Sequence, residues 1–137
     1  MSLDKFERAL ASAKNEDWEW ADEYFGDFLY DCSDPLDYVK QFDALIYSFQ
    51  QREELVIKQC LRNGEHKTLD WLYAIYPKYF DTALFTYYLQ YLNEIVEDYT
   101  PPSETYAGDI ILKEKLACAW LLSHKLVKTE DIPTLFL

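Results

Sequence analysis

Glycine is scarce in this chain, with 3 residues in 137, where average usage would be roughly 7%. Phosphate-cradling loops and tight β-hairpins both depend on glycine's freedom at positive φ, so neither is expected. Cysteine is equally sparse. Cys32, Cys60 and Cys118 lie far apart, form no Cys-x-x-Cys pair and have no histidine at ligand spacing. Neither a zinc site nor a disulfide framework is expected. No apolar run reaches the roughly 18 residues of a membrane span, and no basic-then-apolar leader opens the sequence. A reduced cytoplasmic protein without metal or cofactor is the expectation.

The sharpest absence is local. Between Lys14 and Lys40 there is no lysine or arginine, while nine acids occur: Glu16, Asp17, Glu19, Asp22, Glu23, Asp27, Asp31, Asp34 and Asp37. The formal net charge is −12, and 16 of the 25 acids lie elsewhere, against 13 bases. Three quarters of the net charge therefore sits on one short segment. Direct binding to nucleic acid is disfavoured, because phosphate recognition needs a basic footprint. An anionic membrane surface is disfavoured for the same reason.

What the chain has in quantity is aromatic and helix-forming residues: 12 Tyr, 8 Phe and 4 Trp within a 50% hydrophobic composition. Such a chain can bury a core of its own without staples. The reading is all-α, a single compact domain over residues 1–137 with about six or seven helices, arranged as a bundle or as stacked helix pairs. Periodicity predicts helices near 2–14, 17–31, 36–62, 66–76, 79–98 and 109–126. Pro35 suits a first turn and Asn63-Gly64 a left-handed cap. The polar run Gln50-Gln51-Arg52-Glu53-Glu54 is a candidate break in the long third helix. Pro101-Pro102-Ser103 predicts a loop through Gly108, and residues 128–137 predict one turn or an extended tail. In 79–98 the polar residues Thr82, Thr86, Gln90, Asn93, Glu94 and Glu97 share one arc, and the rest is apolar, as in a helix packed on several sides. Residues 110–122 read the same way. No segment recurs at a fixed period, so a repeat array is not expected.

The acidic helix has two faces. Ala21, Phe25, Phe28, Leu29 and Cys32 fall together on the apolar side of a helical wheel, with Glu16, Glu19, Glu23, Asp27 and Asp31 opposite. Glu19, Glu23, Asp27 and Asp31 step by four, and each like-charged pair at that spacing costs a few tenths of a kcal/mol. Trp20, Tyr24 and Tyr30 lie on or beside the same outer face. Carboxylates that steer, next to rings that anchor, are the chemistry of a protein interface. The candidate binding residues are Glu16, Glu19, Trp20, Glu23, Tyr24, Asp27, Tyr30 and Asp31. The plain alternative is that the stripe is only a solvated face.

Catalytic signals are weak. His66 and His124 stand apart from each other and from any cysteine, and Ser123-His124 has no elbow and no third member. The expected function is that of a small acidic protein binding, and inhibiting in the manner of an immunity protein, a basic partner such as a nucleic-acid-binding protein or toxin. A related version has the carboxylates mimic backbone phosphates. The alternatives are a helical scaffold or homodimeric assembly subunit, fed by the aromatic surplus around Tyr73 to Tyr99, and an enzyme, which requires a concave pocket with convergent acids or His66.

Overall fold

The computed structural model describes residues 3–41, 52–98 and 104–137. Among these residues the chain is all-α, with no strand. The helices are α1 (Leu3–Lys14), α2 (Trp18–Asp31), α3 (Pro35–Gln41), α4 (Glu53–Arg62), α5 (His66–Ile75), α6 (Thr82–Asp98) and α7 (Glu104–Ser123). Short 3-10 turns occupy Pro77–Tyr79, Thr129–Asp131 and Thr134–Phe136.

Several boundaries differ from the sequence reading. The run 36–62 is not one helix: Arg52 has non-helical φ −129° and ψ 24° and stands as the N-cap of α4, inside the polar run flagged as a break. Phe42, Leu45, Ile46 and Phe49, assigned to that helix, lie outside the described residues. Helix α6 starts at Thr82 rather than 79, because the Asp81 carboxylate accepts the Leu84 N–H at 3.0 Å and caps it. Helix α7 starts at Glu104, so the expected loop through Gly108 is helical; one interior glycine costs a helix only about 1 kcal/mol. Residues 129–136 form two 3-10 turns that plug the core with Ile132 and Phe136, 4% and 2% exposed.

The helix ends explain how so few glycines suffice. Three helices close with the same pair of bonds around a left-handed residue. After α1, Asp17 N–H reaches Ser12 C=O at 2.8 Å and Glu16 N–H reaches Ala13 C=O at 3.0 Å. After α4, Glu65 bonds back to Cys60 and Gly64 to Leu61; after α7, Leu126 bonds to Leu121 and Lys125 to Leu122. The left-handed residue is Gly64 (φ 65°) as expected, but in the other two caps it is Glu16 (φ 59°) and Lys125 (φ 58°). Gly64 is required twice over, since a Cβ there would also stand 2.5 Å from the Lys113 carbonyl oxygen of α7.

Helices α1 and α2, joined by a three-residue turn, form a hairpin whose seam is Phe6, Ala9 and Ala13 against Ala21, Phe25, Phe28 and Leu29, all buried. Phe6 and Phe28 lie 4.9 Å apart, a favourable ring separation. The hub of the molecule is α4, which touches α2, α5, α6 and α7. Its buried residues Val56, Ile57, Gln59, Cys60 and Leu61 cover most of its circumference, so one polar side chain, Gln59, is carried inside with them.

Helix α6 sorts as expected. Leu84, Tyr88 and Leu92 are buried and all six polar-arc residues are exposed. Helix α7 does not: Glu114 is 0% exposed, while Leu112 and Leu116 are 59% and 43% exposed. The expectation of a multiply packed helix failed here because the leucines point away from the hub and the glutamate toward it.

Candidate functional site

The outer face of α2 forms one wall of an open groove of about 620 Å³. That wall presents Glu19, Asp22, Glu23, Asp27 and Tyr30, with Gly26 among them. The facing wall comes from three other helices: Gln59, Arg62 and Asn63 at the end of α4, Tyr91 of α6 and Lys113 of α7. Gly26 lets the two walls close at the floor, because a Cβ there would lie 2.7 Å from the Gln59 Oε1. An interior glycine in a helix is a sequence mark of close approach, and it was the one available signal for this groove.

The eight residues expected to bind divide by exposure. Glu16, Glu19, Glu23, Asp31, Trp20 and Tyr30 are exposed; Tyr24 and Asp27 are half-buried. Trp20, 49% exposed, stacks on Tyr24 with ring centroids 5.7 Å apart, and the Arg8 guanidinium stands 5.9 Å from the Tyr24 centroid. Asp27 accepts a hydrogen bond from Lys5 Nζ at 3.2 Å. The segment without a base in sequence is thus ringed by bases in space: Lys5 and Arg8 from α1, Arg52 over Trp18, and Arg62 and Lys113 across the groove. Compensation is tertiary and partial. Among the described residues, Asp27 is the only α2 carboxylate in an ion pair.

The cations of the far wall rest on rings. Arg62 Cζ lies 4.8 Å from the Tyr91 centroid and Lys113 Nζ 4.3 Å from the Tyr30 centroid. Asp22, on the flank of α2, lines the groove with Gln59; burial pushes its carboxyl above the ordinary range, and the Gln59 amide, Arg62 and Lys58 pull it back. Behind the groove, Tyr88 donates to Glu114 Oε2, and the Tyr91 hydroxyl also acts on this carboxyl. The second Glu114 oxygen has no partner among the described residues. Burial pushes Glu114 up to about 8, against the opposing pull of both tyrosines, Arg62 and Lys113. Glu114 is therefore neutral at pH 7, which is how one carboxyl survives inside the core. Glu65, near Lys113, is pushed up to about 7 by burial and by Asp34, with Lys113 pulling down.

The residues considered for catalysis are occupied otherwise. Ser123 Oγ donates to the Trp120 carbonyl of its own helix at 2.9 Å, and does not face His124. His124 Nε2 sits 3.2 Å from Asp70 Oδ1, the same oxygen that accepts the Trp120 indole N–H at 2.7 Å. Tyr73 and Phe80 close around Trp120 at 5.9 and 5.7 Å, so much of the aromatic surplus is used to lock α5 onto α7. His66 is exposed at the start of α5. Cys60 and Cys118 are buried core residues. Among the described residues no group of three or more His, Cys, Asp or Glu is placed to hold a metal ion, and no helix is long and apolar enough to cross a membrane. No protein-family model, curated protein or solved structure matches this chain, so the functional reading rests on its own geometry.

Proposed function

We propose that the chain binds a basic partner protein through the exposed face of α2, and acts on it by covering a basic surface, as inhibitors and immunity proteins do. The observation that carries this reading is the exposed strip of Glu19, Trp20, Glu23, Tyr30 and Asp31 on α2, with Glu16 exposed in the turn before it. Uncompensated carboxylates raise the rate of encounter with a positive surface, and an exposed tryptophan beside them supplies anchoring area. Trp20 stacked on Tyr24 is held in one orientation, which lowers the ordering cost of using it as an anchor.

The test is affinity capture from nuclease-treated lysate with the native chain and with Glu16, Glu19, Glu23 and Asp31 all changed to lysine, leaving the Lys5–Asp27 pair intact. The expected result is one basic protein held near one-to-one by the native chain, weakened by salt and lost with the variant. Equal capture by a normally folded variant would sink the reading. Trp20→Ala should speed dissociation more than it slows association.

A second reading is favoured by Leu112 and Leu116, two exposed leucines at i,i+4 spacing on α7: an assembly subunit that pairs through that face. Light scattering across a concentration series tests it, and a concentration-independent monomer removes it.

A further inference from the structure

The groove shares Glu19 and Glu23 with the exposed strip but carries both signs of charge. Lys5 neutralises Asp27, which leaves Glu19, Asp22 and Glu23 facing Arg62 and Lys113. Among the described residues neither cation has a carboxylate within 4.0 Å. Of the carboxyls behind them, Glu114 is kept mostly protonated by burial, and Glu65, pushed up to about 7, balances Lys113 only in part. Both cations are held over tyrosine rings that fix their position. At the floor Gln59, 7% exposed, lines the groove against Gly26 and beside Asp22. A volume of about 620 Å³ suits a ligand of two or three residues.

We propose that this groove holds the C-terminal end of a basic peptide segment, its α-carboxylate between Arg62 and Lys113 and its lysine or arginine side chains against Glu19, Asp22 and Glu23. Three carboxylates opposite two cations leave one negative charge in excess, which a chain end bearing two basic side chains and one carboxylate balances. An anion alone would leave the α2 wall uncompensated, and a cation alone would leave Arg62 and Lys113 so. The proposal deepens the reading of the acidic strip and rests on it: the strip steers a basic partner, and the groove selects its end.

The experiment is calorimetric titration of the native chain with a five-residue peptide ending in Lys-Lys-COOH, the same peptide amidated, its Glu-Glu-COOH counterpart and free lysine. The free-acid Lys-Lys peptide is expected to bind, and amidation to weaken it about tenfold, as for loss of a charge-assisted carboxylate contact. Lys113→Gln and Arg62→Gln should weaken the free acid and leave the amide unchanged, while Glu19→Gln with Glu23→Gln should weaken both. Circular dichroism and melting confirm that each variant is folded. Equal binding of acid and amide, or free lysine as tight as the peptide, would overturn the chain-end assignment. Partner capture that is lost on reversing the strip but unaffected by Lys113→Gln and Arg62→Gln would overturn the groove proposal alone. Peptide binding with the predicted amide effect, in a chain whose strip captures nothing, would overturn the docking reading and leave the groove.

Discussion

Helices α2 and α7 are built from similar materials, apolar residues interleaved with acids, and they sort them in opposite ways. In α2 the apolar residues Ala21, Phe25, Phe28 and Leu29 are all buried and Glu19, Glu23 and Asp31 all exposed. In α7 Glu114 is inside, and Leu112 and Leu116 are outside. The difference lies in the pattern. Helix α2 has a single apolar stripe, so the hydrophobic effect orients it. Helix α7 has apolar residues most of the way round, and its orientation is set by what it must meet: Tyr88 and Tyr91 of α6, Gly64 after α4, and Asp70 of α5 through Trp120.

The contrast breaks most visibly at a ring. Phe28→Ala should cost about 3–5 kcal/mol in urea unfolding, since the residue is fully buried between Phe6, Phe25 and Tyr38. Leu112→Ala, equally apolar but on α7's outer side, should cost less than about 0.5 kcal/mol. A large loss at Leu112 would mean that its face is covered.

The buried glutamate gives the next largest effect. Its folded pKa, about 8, is raised above the ordinary carboxyl value. The folded chain therefore binds a proton that the unfolded chain has already released. Its stabilising contribution is complete below about pH 4.5 and is lost as pH rises through about 8. Glu114→Gln should abolish most of that slope in melts at pH 5, 7 and 9. The same change at Glu19 should leave the slope intact and raise stability by a few tenths of a kcal/mol, by relieving repulsion from Glu23.

Gly64→Ala sharpens the comparison from the other side. It forces a side chain into a left-handed position and against the Lys113 carbonyl. A loss of about 2–3 kcal/mol is expected in thermal unfolding. A smaller effect runs the other way: Lys125→Gly, at the left-handed position after α7, should stabilise by about 1 kcal/mol.

How legible the site was follows from the same distinction. The exposed carboxylates and Trp20 could be read from the wheel of α2, because side-chain direction on a helix follows from local geometry. The partial burial of Tyr24 and Asp27 could not, since Arg8 and Lys5 come from α1. The groove's far wall was invisible for a stronger reason. Gln59 and Arg62, Tyr91, and Lys113 come from three segments far apart in the chain and meet only because α4 sits at the hub. Ser123 and His124 show the converse, neighbours in sequence whose polar groups turn to different partners.

By itself the sequence determined the all-α class, the stripe of α2, the polar arc of α6, and the caps at Pro35 and Gly64, because these follow from periodicity and from backbone preferences within a few residues. Tertiary structure alone decided that Glu114 would be protonated in the core, and that four helices would bring cations opposite the acids of α2. Those outcomes depend on burial and on distances between segments, and a charge's cost or benefit is fixed by its surroundings rather than by its neighbours in the chain.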